Sequence, residues 1–269
     1  IRRIFRFLRF LPNQGFGNLD RFPPALPAAK HINTLNTDLI DSAASSAPAQ
    51  RRRSTAGSSV HGRTRVKICG VTRLKDAQAA CSFGADAVGL IFYPPSPRGV
   101  DIDVAKSIRR ELPPFVTVVG VFVNPDAEFL KRSIRDVSLD VIQFHGDEDA
   151  GFCASFDKPF IKAVQVREGL DLRGFARQYA AARALLLDSF ETERRGGTGN
   201  IFDWSLIPQD LDMPVILAGG LGPDNVAEAI DAVAPFAVDG NGGVESTPGI
   251  KDPEKIQAFI REVNRGQNS

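Results

Sequence analysis

Residues 65–92 read RVKICGVTRLKDAQAACSFGADAVGLIF and contain the pattern that decides the fold. RVKIC (65–69) and AVGLIF (87–92) are short runs of β-branched and apolar residues, which are typical of strands. LKDAQAACSFG (74–84) lies between them and has the length and composition of a helix. A strand, a helix and a second strand in this order predict a βαβ unit whose two strands run parallel.

The same unit recurs along the rest of the chain. Helical stretches such as DVAKSIRREL and PDNVAEAIDAV separate six further strand-like runs: VTVVGVF (116–122), DVIQF (140–144), FIKAV (160–164), ALLLD (184–188), PVILA (214–218) and FAVD (236–239). Eight strand–helix units in about 200 residues predict an α/β fold, a (β/α)8 TIM barrel over residues 65–269. A doubly wound open sheet is the alternative, but CGVTR lacks the Gly-rich turn that this fold favours after its first strand.

The composition is ordinary for a globular protein, with 43% hydrophobic and 24% charged residues. A net charge of +1 excludes binding to nucleic acid or membrane by overall charge alone. No apolar run reaches the roughly 18 residues of a membrane span. The wide spacing of Cys69, Cys81 and Cys153 argues against a disulfide framework and a zinc site. It fits a reducing compartment, so we expect a cytoplasmic protein without nucleic-acid or membrane partners.

Residues 1–64 differ from the rest of the chain in charge. Residues 1–65 carry eleven Lys or Arg but only three acidic residues. IRRIFRFLRFLP has the apolar spacing of one helix face, whereas the Pro-, Ala- and Ser-rich residues that follow predict disorder up to about residue 63. Three interpretations of this extension are open: a segment without selected function, an organellar transit peptide, and a basic helix that contacts membrane or nucleic acid.

The barrel prediction places the functional site at the C-terminal ends of the strands, where the βα loops begin. Side chains alternate along a strand, so a polar residue at such an end shares its inward side with the residue two positions earlier. The inward pairs predicted in this way are Lys67 with Cys69, Gln143 with His145, and Leu186 with Asp188.

Cys69 and Asp188 are candidates for an acid–base pair. A thiolate can remove a proton, and a carboxylic acid can donate one. The thiol would need a lowered pKa, and Lys67 is a candidate cation for lowering it. The alternatives are a buried structural thiol at Cys69 and a capping carboxylate at Asp188. Cys81 and Cys153 lie in helical stretches and are predicted to be packing thiols.

Two Gly-rich loops follow the last two predicted strands. ILAGGLGPDN (216–225) and DGNGGVESTPG (239–249) lie where TIM barrels usually bind phosphate. Glycines let backbone N–H groups close around an anion, and a helix predicted to begin near Pro223 adds a favourable field. The alternative is that these are ordinary turn glycines. GGTGN (196–200), after the sixth strand, is expected to be a flexible cover over the site.

Taken in order, the segments of residues 65–264 resemble the phosphoribosylanthranilate isomerase family of tryptophan biosynthesis. The resembling segments are RVKICGVTRLKDA, GADAVGLIFYPPSPRGV, VGVFVN, VIQFHGDE, IKAV, LLLDS, GGTGNIFDWSLI, ILAGGLGPDNV and AVDGNGGVESTPG. The resemblance implies an Amadori rearrangement of N-(5-phosphoribosyl)anthranilate to 1-(2-carboxyphenylamino)-1-deoxyribulose 5-phosphate. It implies a small phosphosugar substrate, no cofactor and no metal, and either a monomer or a homodimer.

The resemblance also implies roles for individual residues. Asp188 matches the general acid that protonates the ribose ring oxygen, and Cys69 matches the general base that removes the C2′ proton. Arg98, in SPRGV, matches the residue that holds the anthranilate carboxylate, and His145 would line the site. The residues matched to phosphate binding are Gly219, Gly220, Asn241 and Gly242.

Two positions depart from the usual pattern of the family. A Ser-Ser pair usually follows the aspartate of the eighth strand by two residues, and this chain has Asn241 and Gly242 there. Lysine tends to follow the G-G-T-G run, where this chain has Asn200. We expect both changes to weaken phosphate affinity and to raise KM more than they lower kcat.

Three other functions compete with this interpretation. A phosphosugar barrel of the histidine-pathway or indole-glycerol-phosphate type is disfavoured by KICG combined with LLLDS. A barrel that only binds phosphate is favoured by the altered loop after strand 8 and disfavoured by the presence of Cys69, Asp188 and Arg98. The third is a protein tethered to an anionic surface or membrane by its basic extension.

Overall fold

The computed structural model describes residues 62–189 and 203–266, so the N-terminal extension before residue 62 and the GGTGN segment with Asn200 lie outside the described residues. Eight parallel strands close into a barrel, which confirms the predicted (β/α)8 fold. The strands are β1 (Arg65–Ile68), β2 (Ala87–Ile91), β3 (Thr117–Phe122), β4 (Val141–Phe144), β5 (Phe160–Val166), β6 (Ala184–Ser189), β7 (Val215–Leu217) and β8 (Ala237–Gly240). Their ends agree with the predicted ends to within two residues.

Helices connect the strands on the outside of the barrel. They are α1 (Leu74–Phe83), α2 (Ile102–Glu111), α3 (Ala127–Val137), α4 (Ala150–Ala154), α5 (Leu172–Gln178), α6 (Val226–Val233) and α7 (Pro253–Gly266). In the described residues between β6 and β7, the helical element is a single 3-10 turn, Trp204–Leu206. Among the residues that the structure describes, no helix is both long and apolar enough to cross a membrane.

Aspartate caps explain where four of these helices begin. The residue before each of α2, α3, α4 and α5 is an aspartate whose carboxylate accepts a backbone N–H of the first turn: Asp101, Asp126, Asp149 and Asp171. Such a cap satisfies an N–H group that has no partner within the helix, and it stabilises the helix by about 1 kcal/mol.

The helix predicted to begin near Pro223 is present as α6, but it begins slightly later, at Val226. Residues 223–225 form a turn instead. The side chain of Asn225 accepts a hydrogen bond from Gly222 N at 2.9 Å and donates one to Gly220 O at 3.0 Å. An asparagine side chain that bonds to nearby backbone in this way offers the chain a turn in place of a helix.

A small hairpin follows β8 and was not predicted. β9 (Glu245–Thr247) and β10 (Ile250–Lys251) pair antiparallel outside the barrel sheet. Gly249 lies in the turn with a φ of 82°, a conformation that glycine adopts without strain. The hairpin brings Glu245 and Lys251 back to the mouth of the barrel.

The hydrophobic core has an outer and an inner part. Val66 and Ile68 of β1 and Ile142 and Phe144 of β4 pack outward in a large cluster with the helices. Inside the barrel, branched and small side chains fill the space between the strands, including Leu186 of β6. This alternation confirms the predicted inward and outward faces of β1, β4 and β6.

We expect the outer core to contribute most of the stability. Replacing Val88, which is completely buried in β2, by alanine should lower the free energy of unfolding by about 2 kcal/mol through lost burial and a residual cavity. The matched change Val104→Ala, on the exposed face of α2, should lower it by less than about 0.5 kcal/mol. Urea denaturation followed by circular dichroism measures both values, and equal losses would contradict the assigned core.

Candidate active site

Lys67 lies in the first strand and Cys69 directly follows it, and both side chains face the inside of the barrel. A Cβ atom placed on Gly89 of β2 would lie 2.7 Å from Cys69 Sγ and 3.2 Å from Lys67 Cε. The two side chains therefore occupy the space next to Gly89, where any larger residue would displace them. This confirms the predicted inward pair.

Lys67 forms an ion pair with Asp239 of β8. The two residues are direct partners in the pairing of β1 with β8, and Nζ lies 2.6 Å from Oδ2. Their side chains are only 4% and 6% exposed. Burial is the largest single influence on the pKa of Lys67 and would lower it, but the charge of Asp239 and its hydrogen bond, together with Cys69, raise that pKa by more. Lys67 therefore stays a cation.

The thiol of Cys69 does not have the lowered pKa that the sequence suggested. Burial raises the pKa of Cys69, the charge of Asp239 raises it further, and Lys67 offsets only part of the increase. The expectation is wrong because Asp239 already balances the charge of Lys67 beside a desolvated thiol. A thiol with a raised pKa is less often ionised, but its thiolate is the stronger base.

Asp188 and His145 lie together at the ends of β6 and β4. His145 Nε2 is 3.3 Å from Asp188 Oδ2, and both side chains are more than one quarter exposed to solvent. The other carboxylate oxygen, Oδ1, accepts a hydrogen bond from Ser189 N at 2.8 Å. On the far side of the ring, Nδ1 is 2.9 Å from the side-chain nitrogen of Gln143. The predicted inward pair of Gln143 and His145 is thus confirmed.

Arg98 lies beside Gly70, just after the end of β1. A Cβ atom placed on Gly70 would lie 2.8 Å from Arg98 Cδ. Its guanidinium Nε and Nη2 donate to the two oxygens of Glu245, at 2.9 Å and 2.7 Å. Such a bidentate pair fixes the plane of the guanidinium. Nη1 takes no part in this pair, and it is the group through which Arg98 can receive another anion.

Glu245 also holds Lys251, and the sequence did not reveal this cluster. Lys251 Nζ lies 2.9 Å from Glu245 Oε1 and 2.9 Å from Asn241 Oδ1. Burial alone would raise the pKa of Glu245, but the hydrogen bonds from Arg98 and Lys251 outweigh it and lower that pKa. Burial lowers the pKa of Lys251. Glu245 and Lys251 in the VESTPGIK run were the sequence signal from which this cluster could have been predicted.

The loops after β7 and β8 lie side by side, as the sequence predicted. A Cβ atom on Gly243 would lie 2.8 Å from Gly222 Cα. Gly219 and Gly220 have φ values of 79° and 66°, which favour glycine. No described residue accepts a hydrogen bond from the N–H groups of Gly219, Gly220 or Gly242. N–H groups that have no partner among the described residues, on two adjoining loops, suit an oxyanion such as phosphate.

A second buried ion pair supports the loop after β4. Lys162 Nζ lies 2.9 Å from Glu148 Oε2 and 2.6 Å from Gly146 O. Glu148 in turn accepts hydrogen bonds from Gly146 N and Asn124 N. The backbone next to His145 is therefore held from two sides.

The remaining cysteines have the packing role that the sequence predicted. Cys81 is half-buried against the outer core. Cys153 is completely buried in α4, and burial raises its pKa to about 12. Across residues 62–189 and 203–266, no cluster of three or more His, Cys, Asp or Glu could hold a metal ion.

One protein family matches most of this chain. The family model described as N-(5′-phosphoribosyl)anthranilate (PRA) isomerase matches residues 66–262. A protein of Pseudomonas putida (strain GB-1) named N-(5′-phosphoribosyl)anthranilate isomerase is 53% identical over 201 residues, which are 75% of this chain and 98% of the relative.

Solved structures give the same result. A crystal structure of phosphoribosyl anthranilate isomerase in complex with reduced 1-(o-carboxyphenylamino)-1-deoxyribulose 5-phosphate is 42% identical, with a TM-score of 0.68 over 75% of this chain and 99% of that one. A structure of monomers generated from the dimeric enzyme of Thermotoga maritima is 40% identical, with a TM-score of 0.67 over the same shares.

We expect the thiol of Cys69 to ionise above pH 9.0, the ordinary value for a thiol, because burial favours its neutral form. Its alkylation by iodoacetamide, followed by mass spectrometry, should rise with pH and reach half its maximum above that value. Lys67→Gln removes the charge that favours the thiolate, so the midpoint should move to higher pH. Lys162→Gln, at the other buried lysine, should leave it in place. A wild-type midpoint below pH 9.0 would contradict the assignment.

Proposed function

The chain belongs to the N-(5′-phosphoribosyl)anthranilate isomerase family, and from this premise we propose which of its residues carry out the reaction. The protein is an enzyme of tryptophan biosynthesis that converts N-(5′-phosphoribosyl)anthranilate to 1-(2-carboxyphenylamino)-1-deoxyribulose 5-phosphate. The observation that carries the residue assignment is the position of Cys69 and Asp188 at strand ends of one closed barrel.

Asp188 is the general acid of the first step. Its carboxylic acid gives a proton to the ribose ring oxygen, and the bond between that oxygen and C1′ breaks. The anilinic nitrogen supplies the electron pair that forms a Schiff base with C1′. The exposure of Asp188 at the mouth supports this role, because the substrate must reach the carboxyl group.

Cys69 is the general base of the second step. Its thiolate removes the C2′ proton, the C–H electrons form a double bond between C1′ and C2′, and the C=N electrons return to nitrogen. The enol then becomes the ketone as a proton leaves the C2′ hydroxyl and another is added to C1′. The thiolate is stabilised by Lys67, which the pairing with Asp239 keeps charged.

The anionic groups of the substrate are bound around this pair. Arg98 holds the anthranilate carboxylate, with its guanidinium plane fixed by Glu245. The backbone N–H groups of the two Gly-rich loops bind the phosphate, and His145 lines the space beside Asp188. Residues assigned to the phosphate are Gly219, Gly220, Asn241 and Gly242. The side chain of Asn241 is already engaged by Lys251, so its contribution comes from the backbone.

The ligand of the enzyme is a small phosphosugar. We further propose that residues 65–269 are the catalytic domain and residues 1–64 an extension of it. All named site residues come from one chain, so a monomer or a homodimer can carry out the chemistry. The free thiols of Cys69, Cys81 and Cys153 support the cytoplasm as the compartment.

Removal of either proton-transfer group tests the assignment. Cys69→Ser and Asp188→Asn should each lower kcat by at least about a hundredfold, because general acid–base catalysis contributes that much or more. The decay of the fluorescence of freshly made N-(5′-phosphoribosyl)anthranilate measures the rate. The matched changes Cys81→Ser and Asp103→Asn, on helices, should leave kcat within about twofold.

Either of two results would overturn this proposal. Full activity of either site variant would remove that residue from its role. A folded wild-type protein that does not exceed the spontaneous rate would favour a barrel that only binds phosphosugars.

The cluster of Arg98 and Glu245 makes a separate prediction about substrate binding. Glu245→Gln should raise KM about tenfold, because one charge-assisted pair that orients Arg98 is lost, while kcat changes by less than about threefold. Glu254→Gln, an exposed residue at the start of α7, is the matched control and should change neither constant. A fall in kcat at constant KM would show instead that the cluster acts on the chemical step.

A further inference from the structure

Gln143 is a buried polar residue to which neither the sequence nor the proposed mechanism gives a task. It lies in β4 with its side chain inside the barrel and is only 1% exposed. In the described part of the chain, its amide makes one side-chain contact, at 2.9 Å to His145 Nδ1, and its Oε1 has no partner. A buried amide costs free energy unless it is hydrogen-bonded, so a residue kept there for a single bond calls for an explanation.

The second ring nitrogen of His145 points to the candidate acid. Nε2 lies 3.3 Å from Asp188 Oδ2, which is longer than a good hydrogen bond, and catalytic contacts often tighten only when substrate binds. A neutral imidazole carries one proton, on one of its two nitrogens. Once Asp188 has given up its proton, its carboxylate can only accept hydrogen bonds, so the contact with His145 is then favourable only when the ring proton is on Nε2. Nδ1 must then accept a hydrogen bond, and the amide N–H of Gln143 is the donor that reaches it.

We propose that Gln143 is a positioning residue that holds His145 in its Nε2–H tautomer, with the proton directed at Asp188. This inference rests on the proposed role of Asp188 as the general acid. When Asp188 has given its proton to the ring oxygen, its new carboxylate has two donors: Ser189 N on Oδ1 and His145 Nε2 on Oδ2. His145 neither gains nor loses a proton in this step. It stabilises the charge that develops on the acid.

The neutral amide at position 143 is central to this arrangement. A carboxylate at that position would accept a hydrogen bond from a protonated Nδ1 and favour the doubly protonated imidazolium, whereas an apolar side chain would leave the tautomer to the contact with Asp188 alone. The neighbouring loop is independently rigid, because Lys162 and Glu148 hold the backbone of Gly146. The orientation of the imidazole therefore depends on the loop, and its proton position depends on Gln143.

Nitrogen-15 NMR of the full chain tests the proposal without substrate. The chain has three histidines, His31, His61 and His145, and a His145→Asn variant assigns the signals. Long-range proton–nitrogen spectra at pH 8 should show His145 protonated on Nε2 and accepting at Nδ1. Gln143→Met should raise the share of the Nδ1–H tautomer, and Gln143→Glu should raise the share of rings protonated on both nitrogens. Gln257→Met and Gln257→Glu, on the exposed face of α7, are the matched controls and should change nothing.

Kinetics separate positioning from a purely structural role. Gln143→Met should lower kcat about tenfold with KM within about twofold, because a donor to the developing carboxylate is lost and substrate binding is not. An Nδ1–H ring in the wild-type protein would overturn the proposal, and so would a fall in kcat in Gln143→Met without a change of tautomer. An active Asp188→Asn variant would instead disprove the proposed acid role of Asp188. The NMR spectrum would still report the tautomer of His145 independently of that result.

Discussion

The pairing of the first strand with the last is the constraint on which the site depends. β1 and β8 are hydrogen-bonded neighbours, and Lys67 lies directly opposite Asp239 in this pairing. Their buried ion pair is not a strong argument for stability, because desolvation of two charges offsets much of their attraction. The ion pair instead affects where the neighbouring site residues lie. Closure brings Cys69, which follows β1, next to the loop after β8, so that the proposed proton acceptor and a candidate anion site share one mouth.

The charges around this mouth suit the substrate of the family. Three cations, Lys67, Arg98 and Lys251, face two carboxylates, Asp239 and Glu245, which leaves a net charge of +1 while the thiol is neutral. Each cation is held by a carboxylate, so none needs to be reoriented when an anion arrives. Such preorganisation is the main way in which a protein site stabilises charge at low cost. In the proposed binding mode, a substrate with a carboxylate and a phosphate meets both the guanidinium and the backbone N–H groups that have no partner among the described residues.

The proposed acid and the proposed base lie in different environments, as two groups with opposite tasks require. Cys69 is buried among apolar side chains of β3, which raises its pKa and makes its thiolate a strong base. Asp188 is partly exposed and has N–H groups next to both of its oxygens once His145 carries its proton on Nε2.

The sequence by itself determined the strands, the order of the loops and the inward side of each strand end, because these depend on residues that are close in the chain. Alternation along a strand sufficed to pair Gln143 with His145. The first residue of the helix after Pro223 was predicted slightly too early because the side chain of Asn225 bonds to a turn, a competition that periodicity does not reveal. Only the tertiary structure decided that Glu245 holds Arg98, 147 residues away, and that burial outweighs Lys67 in setting the pKa of Cys69. Contacts between distant residues and the loss of water around a side chain arise from closure of the barrel, and no local pattern encodes them.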